Sequence, residues 1–340
     1  MIGRRLAAVG MAAFLVAASP GIDTVVRPSL TGVAPAATTR TPAATTRTPV
    51  AASNKDCSKT SVGFTPLSDL KGEYKGYKGG LYPGGKNQPG KKYRSIGKKK
   101  AKKVRPRGDD GRASSNGEIV LLSIGMSNTK GEFKVFEDVA AADKSVNDSV
   151  TIINAAKGGQ DAETIRDPND DYWTRVEKEV HGKTGSLAKV QVVWLKEAIA
   201  HPQGNFPGSA EYFQEALDDI VDILRDRFKK LRIIYLSSRI YAGYTTRKLN
   251  PEPYAYEGAF SVKWLIADQA KKAPRTRPWL AWGPYLWADG MEKRSDGLVW
   301  ECSDLADDGT HPSEAGKRKV AEMLLDFLKT APTAKSWFVD

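Results

Sequence analysis

The sequence predicts an α/β protein built on a parallel sheet of about five strands, and three observations predict it. Short apolar runs recur between residues 119 and 282. Helical stripes lie between them, and polar or glycine-containing turns punctuate each change. Strands alternating with helices bury a parallel sheet on both faces, so its strands read as continuous apolar runs.

The strands are Ile119 to Ile124, Ser149 to Ala155, Val190 to Leu195, Leu231 to Leu236 and a short Pro278 to Trp282. Ala210 to Lys230 carries Phe213, Leu217, Ile220, Leu224 and Phe228 at three- and four-residue steps, one apolar stripe of a helix. Glu257 to Lys271 and Ser313 to Leu328 follow the same spacing. Pro312 and Glu314 suit the first turn of the last helix.

The chain before residue 118 reads differently. Arg4-Arg5 precede thirteen apolar or small residues, Leu6 to Ala18, and then Ser19-Pro20-Gly21. That is the layout of a secretory signal, expected over 1–25, and short for a membrane span, with an uncleaved anchor as the alternative. A Thr/Ala/Pro tract with a seven-residue duplication, Ala36 to Pro42 and Ala43 to Pro49, predicts a flexible linker over 26–56. Residues 57–117 read as an irregular wrap, rich in glycine and proline and anchored by Tyr74, Tyr77, Leu81 and Tyr82. The folded domain is expected over 118–340.

Export gives the two cysteines meaning. Cys57 and Cys302 are the whole complement, and an isolated pair in an oxidising compartment is expected to bridge, with two buried thiols as the alternative. Neither stands at a zinc-type spacing with histidine. The formal net charge is +12, and Lys91 to Arg107 holds ten basic residues with no acidic one. Basicity is therefore a property of one segment, read as a solvated, partly disordered loop or as a tether for an acidic polymer. Nucleic acid is not an expected partner, since no recognition motif accompanies the charge. The localisation expected is secreted or associated with the cell envelope.

Chemistry concentrates in two places. The run Leu121 to Ile124 breaks at Gly125 into a turn presenting Ser127, at the carboxyl end of a buried strand, where open α/β sheets place their sites. Of three histidines, His181 reads as a solvated helix end and His201 as loop surface. His311 lies in Asp307-Asp308-Gly309-Thr310-His311-Pro312, where Asp308 can meet one imidazole nitrogen and leave the other for a serine. A capping turn is the structural alternative for that pair. Trp173, Trp194, Trp282 and Trp287 read as core or cleft rim, and a role lining a sugar-facing cleft is the alternative.

Serine early after the first strand, with Asp-Gly-x-His-Pro before the last helix, resembles the SGNH (GDSL-type) hydrolase superfamily over roughly Glu118 to Leu328. The resemblance implies a flavodoxin-like three-layer α/β/α sandwich, a Ser-His-Asp ester hydrolase and no metal or organic cofactor. Gly125-Met126-Ser127-Asn128 is similar in form to the sialate-acetylesterase-like carbohydrate esterases, with Met126 where most of the superfamily has aspartate. On this resemblance Ser127 is the nucleophile, His311 the base and Asp308 its partner. Gly158 or Gly159, with Asn128, belongs to the oxyanion hole. The superfamily's side-chain amide after the third strand has no counterpart in Trp194-Leu195-Lys196-Glu197-Ala198, which leaves Lys196 or Arg239 as substitute donors. The substrate implied is an acyl ester, with an O-acetylated carbohydrate as the finer expectation. The alternative is a catalytically degenerate envelope protein of the same fold that holds an acidic polymer.

Overall fold

A computed structural model describes residues 55–272 and 277–340 of the chain. The expected signal and nearly all of the expected linker lie outside the described residues. The elements in order are β1 (Glu73–Tyr74), β2 (Tyr77–Lys78), α1 (Lys91–Ala101), β3 (Ile119–Gly125), α2 (Ser127–Ala142) and β4 (Val150–Asn154). They continue with α3 (Ala162–Ile165), α4 (Asp171–Thr184), β5 (Val190–Lys196), α5 (Gly208–Arg227) and β6 (Ile233–Ser237). The last are α6 (Tyr254–Lys272), β7 (Trp279–Trp282), α7 (Glu314–Thr330) and α8 (Lys335–Phe338).

Five strands form one parallel sheet in the order β4-β3-β5-β6-β7. This is the flavodoxin-like order, which steps once to one side of the first strand and then three times to the other. Right-handed crossovers place helices of the two directions on opposite faces. Accordingly α2 packs with α7, and α5 packs with α6. Every residue of β3, β5, β6 and β7 is buried, which is why those strands read as mostly apolar runs. The order reverses at β3, so a crevice opens beside its carboxyl end.

The basic segment departs from its expected loop. Lys91–Ala101 is a helix, because Tyr93, Gly97 and Ala101 recur at four-residue steps and bury one face. A Cβ on Gly97 would stand 2.5 Å from the Trp279 ring, so glycine permits this close packing. Edge strand β7 is closed by side chains. Tyr93 donates to the Leu280 carbonyl at 2.7 Å, while Gln269 accepts the Leu280 amide at 2.8 Å and donates to the Pro278 carbonyl at 3.0 Å. These bonds satisfy backbone groups that an open edge would leave to a neighbour.

The wrap is anchored by its aromatics. Tyr74 packs among Phe64, Phe206, Tyr256 and Phe260, and the Tyr82 hydroxyl accepts the Trp282 amide. Lys55 and Asp56, at the end of the expected linker, are already held to Thr245 and Tyr244. Cys57 and Cys302 are bridged, with their Cα atoms 5.4 Å apart. No helix among the described residues is long and apolar enough to cross a membrane. Trp173, Trp194, Trp282 and Trp287 are all buried, so packing, and no open cleft, is where the structure uses them.

Candidate active site

Gly125 ends β3 where the chain has no room for a side chain. A Cβ there would lie 2.3 Å from the Lys196 carbonyl oxygen and 2.5 Å from Thr129 Oγ1. Met126 is extended, and Ser127 is the first residue of α2. The opening amides of a helix have no intrahelical acceptor, and the helix dipole favours negative charge beside them. Two bonds hold this turn. Thr129 Oγ1 donates to the Lys196 carbonyl at 2.6 Å, and the Lys157 amide donates to the Gly125 carbonyl at 2.9 Å. The second brings the turn after β4 against Ser127, so that a Cβ on Gly158 would be 3.7 Å from the serine Cβ. The Gly158 amide has no acceptor among the described residues. Gly159 follows at φ +76°, a conformation that suits glycine.

The turn before α7 is tied on all sides. Asp308 Oδ1 accepts the amides of Thr310 and His311, each at 3.0 Å. Its Oδ2 is 2.6 Å from His311 Nδ1, and His311 Nε2 is 2.8 Å from Ser127 Oγ. With the Nδ1 proton directed at Asp308, Nε2 accepts from the serine hydroxyl. Partial burial works against the Asp308 charge. The hydrogen bonds from His311 and Thr310 outweigh it and hold the carboxyl below its ordinary value. The Thr310 carbonyl accepts from Asn128 Nδ2 at 3.1 Å and Arg239 Nη2 at 3.4 Å, fastening the turn to α2 and to the segment after β6.

The structure thus brings Ser127, His311, Asp308 and Gly158 together, with Gly159 shaping the adjoining turn. Two expected oxyanion donors are engaged elsewhere. The Asn128 amide group donates to Thr310, so it fastens the histidine turn. Lys196 points into the interior, where its ammonium meets Glu132 at 2.7 Å and both side chains are buried. Burial raises the Glu132 carboxyl and lowers the Lys196 ammonium, while their mutual attraction opposes both shifts. Lys196 is therefore a buried ion-pair partner, and no free donor. Arg239 is buried behind Thr310, with Nε and Nη1 unpartnered among the described residues. His181 and His201 are exposed, and His201 Nδ1 lies 3.2 Å from the Lys248 carbonyl. No group of metal-binding side chains occurs among the described residues.

Sequence reasoning missed the fasteners. Thr129, Thr245 and Thr310 join the two halves of the site, with 2.8 Å between the hydroxyls of Thr245 and Thr310. Only Thr310 stands inside a motif that could have drawn notice.

No family model and no curated protein matches this chain. Solved structures do resemble it. A Bacteroides fragilis protein described as an acylhydrolase is 13% identical, with TM-score 0.39, over 70% of this chain and 96% of its own. A GDSL-like lipase from Bacteroides thetaiotaomicron is 14% identical, with TM-score 0.38, over 69% of this chain and 95% of its own. An acetylxylan esterase from Geobacillus stearothermophilus is 16% identical, with TM-score 0.33, over 61% and 93%. The strand order is flavodoxin-like, and the positions of Ser127 after the first strand of the sheet and of the Asp308–His311 turn after the last agree with the resemblance to SGNH hydrolases.

Proposed function

We propose that the protein is an exported serine ester hydrolase acting on an acyl ester, with an O-acetylated carbohydrate as the substrate class. The observation that carries this reading is the continuous chain Ser127 Oγ, His311 Nε2, His311 Nδ1 and Asp308 Oδ2, with links of 2.8 and 2.6 Å. A serine hydroxyl is a weak nucleophile until an adjacent base takes its proton, and the imidazole stands at the required distance. His311 accepts the proton as Ser127 attacks the ester carbonyl, and Asp308 holds the tautomer and stabilises the imidazolium. The amides of Ser127 and Gly158 supply two donors for the oxyanion. His311 returns its proton to the departing alcohol, and water then releases the acyl group by the same route.

The acetyl and carbohydrate part of the reading rests on the form of Gly125-Met126-Ser127-Asn128. Export is supported by the signal-like start and is compatible with the Cys57–Cys302 bridge. The domain limits proposed are those read from the sequence.

The test is labelling of signal-free protein by a fluorophosphonate serine probe, beside Ser127→Ala and His311→Ala. Labelling and turnover that vanish in both variants are expected. A second reading, an inactive binder of an acidic polymer, is favoured by one observation. Lys86, Lys91, Lys92, Arg94, Lys98 and Lys99 make no ion pair among the described residues. Lys86, Lys91 and Lys92 also line a groove of about 410 Å³ beside Tyr82, Tyr93 and Ile96. Folded wild type that takes no label, yet is retained on a polyuronate matrix and released by salt, would put the binder first.

A further inference from the structure

Glu197 is the first residue after β5. Its neighbour Lys196 pairs in register with Gly125, so Glu197 leaves the sheet alongside Met126, one residue before Ser127. Successive side chains of a strand alternate faces. Lys196 turns toward Glu132 on α2, whereas Glu197 has Asp161 and Tyr172 of α4 within electrostatic reach. The same segment is bonded to the turn that carries Gly158. Ala162 donates to the Ala198 carbonyl at 3.0 Å, and the Ala200 amide donates to Asp161 Oδ2 at 2.7 Å. Glu197 therefore leaves the strand beside the one that leads into Ser127, on a segment bonded to the stretch that follows Gly158.

Glu197 is 2% exposed, and its carboxyl group is thinly supported. Oε2 accepts the Ala198 amide at 3.3 Å, and Oε1 has no partner among the described residues. We propose that Glu197, as a neutral carboxylic acid, is the third donor of the oxyanion hole, in place of the amide that the chain lacks. The inference rests on the serine-hydrolase reading. In the tetrahedral intermediate the Glu197 O–H donates a hydrogen bond to the alkoxide and keeps its proton, so no atom changes owner. Burial above all, together with Asp161, pushes the Glu197 carboxyl well above its ordinary value, against smaller opposing effects of the Ala198 amide and of Lys196. A carboxylic acid kept neutral by an apolar site is a known way to supply such a donor.

The charged and titratable groups facing Glu197 are Lys196 on β5, Asp161 before α3 and Tyr172 on α4. Lys196 is committed to Glu132. Burial raises the Tyr172 hydroxyl, so it stays protonated where Glu197 ionises. The sign follows. Below its raised value Glu197 is neutral and donates; as pH rises through that value it ionises, the donor is lost, and negative charge faces the oxyanion.

The experiment is kcat and KM for p-nitrophenyl acetate against pH, with fluorophosphonate labelling, for wild type, Glu197→Gln and Glu197→Ala. Glu197→Gln carries an N–H donor at every pH, so it should keep more kcat than Glu197→Ala and lose the alkaline fall. Glu197→Ala should lose about a hundredfold in kcat with KM nearly unchanged. If Glu197→Gln loses as much as Glu197→Ala, or keeps the alkaline fall, Glu197 is not the donor. Should Glu197→Ala fail to fold, the Glu197→Gln profile alone decides. Wild type that neither labels nor turns over removes the serine reading, and this proposal with it.

Discussion

Asp308 accepts three hydrogen bonds from two residues, and only one of them reaches the imidazole. The other two, from the Thr310 and His311 amides, fix the carboxylate so that the third is aimed. Asp308→Asn keeps the shape and loses the charge, and its amide can present a donor to Nδ1, favouring the wrong tautomer. The expected result is a fall in kcat on the order of ten-thousandfold, with the fold retained. Steady-state kinetics beside circular dichroism checks it, and near-normal kcat would remove Asp308 from the relay. Because its folded carboxyl is lowered, Asp308 contributes stability present above the unfolded value and lost as pH falls through the folded one.

The element that decides the site is the eight-residue turn from Leu305 to Pro312, closed by a bridge between its ends. Gly309 sits at φ +64°, and a Cβ there would lie 2.8 Å from Thr245 Cα and 2.9 Å from the Tyr244 carbonyl oxygen. Both obstacles are backbone atoms, so no side-chain rotation relieves them. Gly309→Ala should cost upwards of about 1–2 kcal/mol from the left-handed conformation alone. It should also lower kcat by displacing Asp308 from His311. Urea unfolding and kcat unchanged from wild type would count against the turn as the positioning element. In helix α1, six basic residues among eleven conceal a buried face of Tyr93, Gly97 and Ala101, and charge counting alone reads such a segment as a loop.

For the whole molecule, the Cys57–Cys302 bridge spans 245 residues and ties the entry of the domain to the segment before α7. The entry is also held by side chains. Lys55 Nζ donates to the Leu305 carbonyl at 2.8 Å, and Asp289 accepts the Val62 and Gly63 amides at 2.8 and 3.0 Å. Closing so long a loop restricts the unfolded chain, and the chain-entropy relation gives about 5.5 kcal/mol. The Cys57→Ser, Cys302→Ser protein should therefore unfold at markedly lower denaturant and become insensitive to reductant. Equal midpoints for the variant and the oxidised wild type would show that the side-chain contacts suffice without the bridge.

The sequence by itself determined the five strands of the sheet, because the four strands buried on both faces are mostly apolar and the partly exposed β4 still carries Val150, Ile152 and Ile153. It also determined the two turns that carry Ser127 and the Asp308–His311 pair, since the residues concerned lie within short local stretches. Tertiary structure alone decided which polar side chain at the end of β5 faces which way. Lys196 and Glu197 are adjacent, and the sequence alone reads Lys196 as a substitute donor. The choice is made by Glu132, sixty-four residues earlier, whose buried carboxyl claims the ammonium. A partner that distant leaves no local pattern, so only the packing of α2 against β5 shows it.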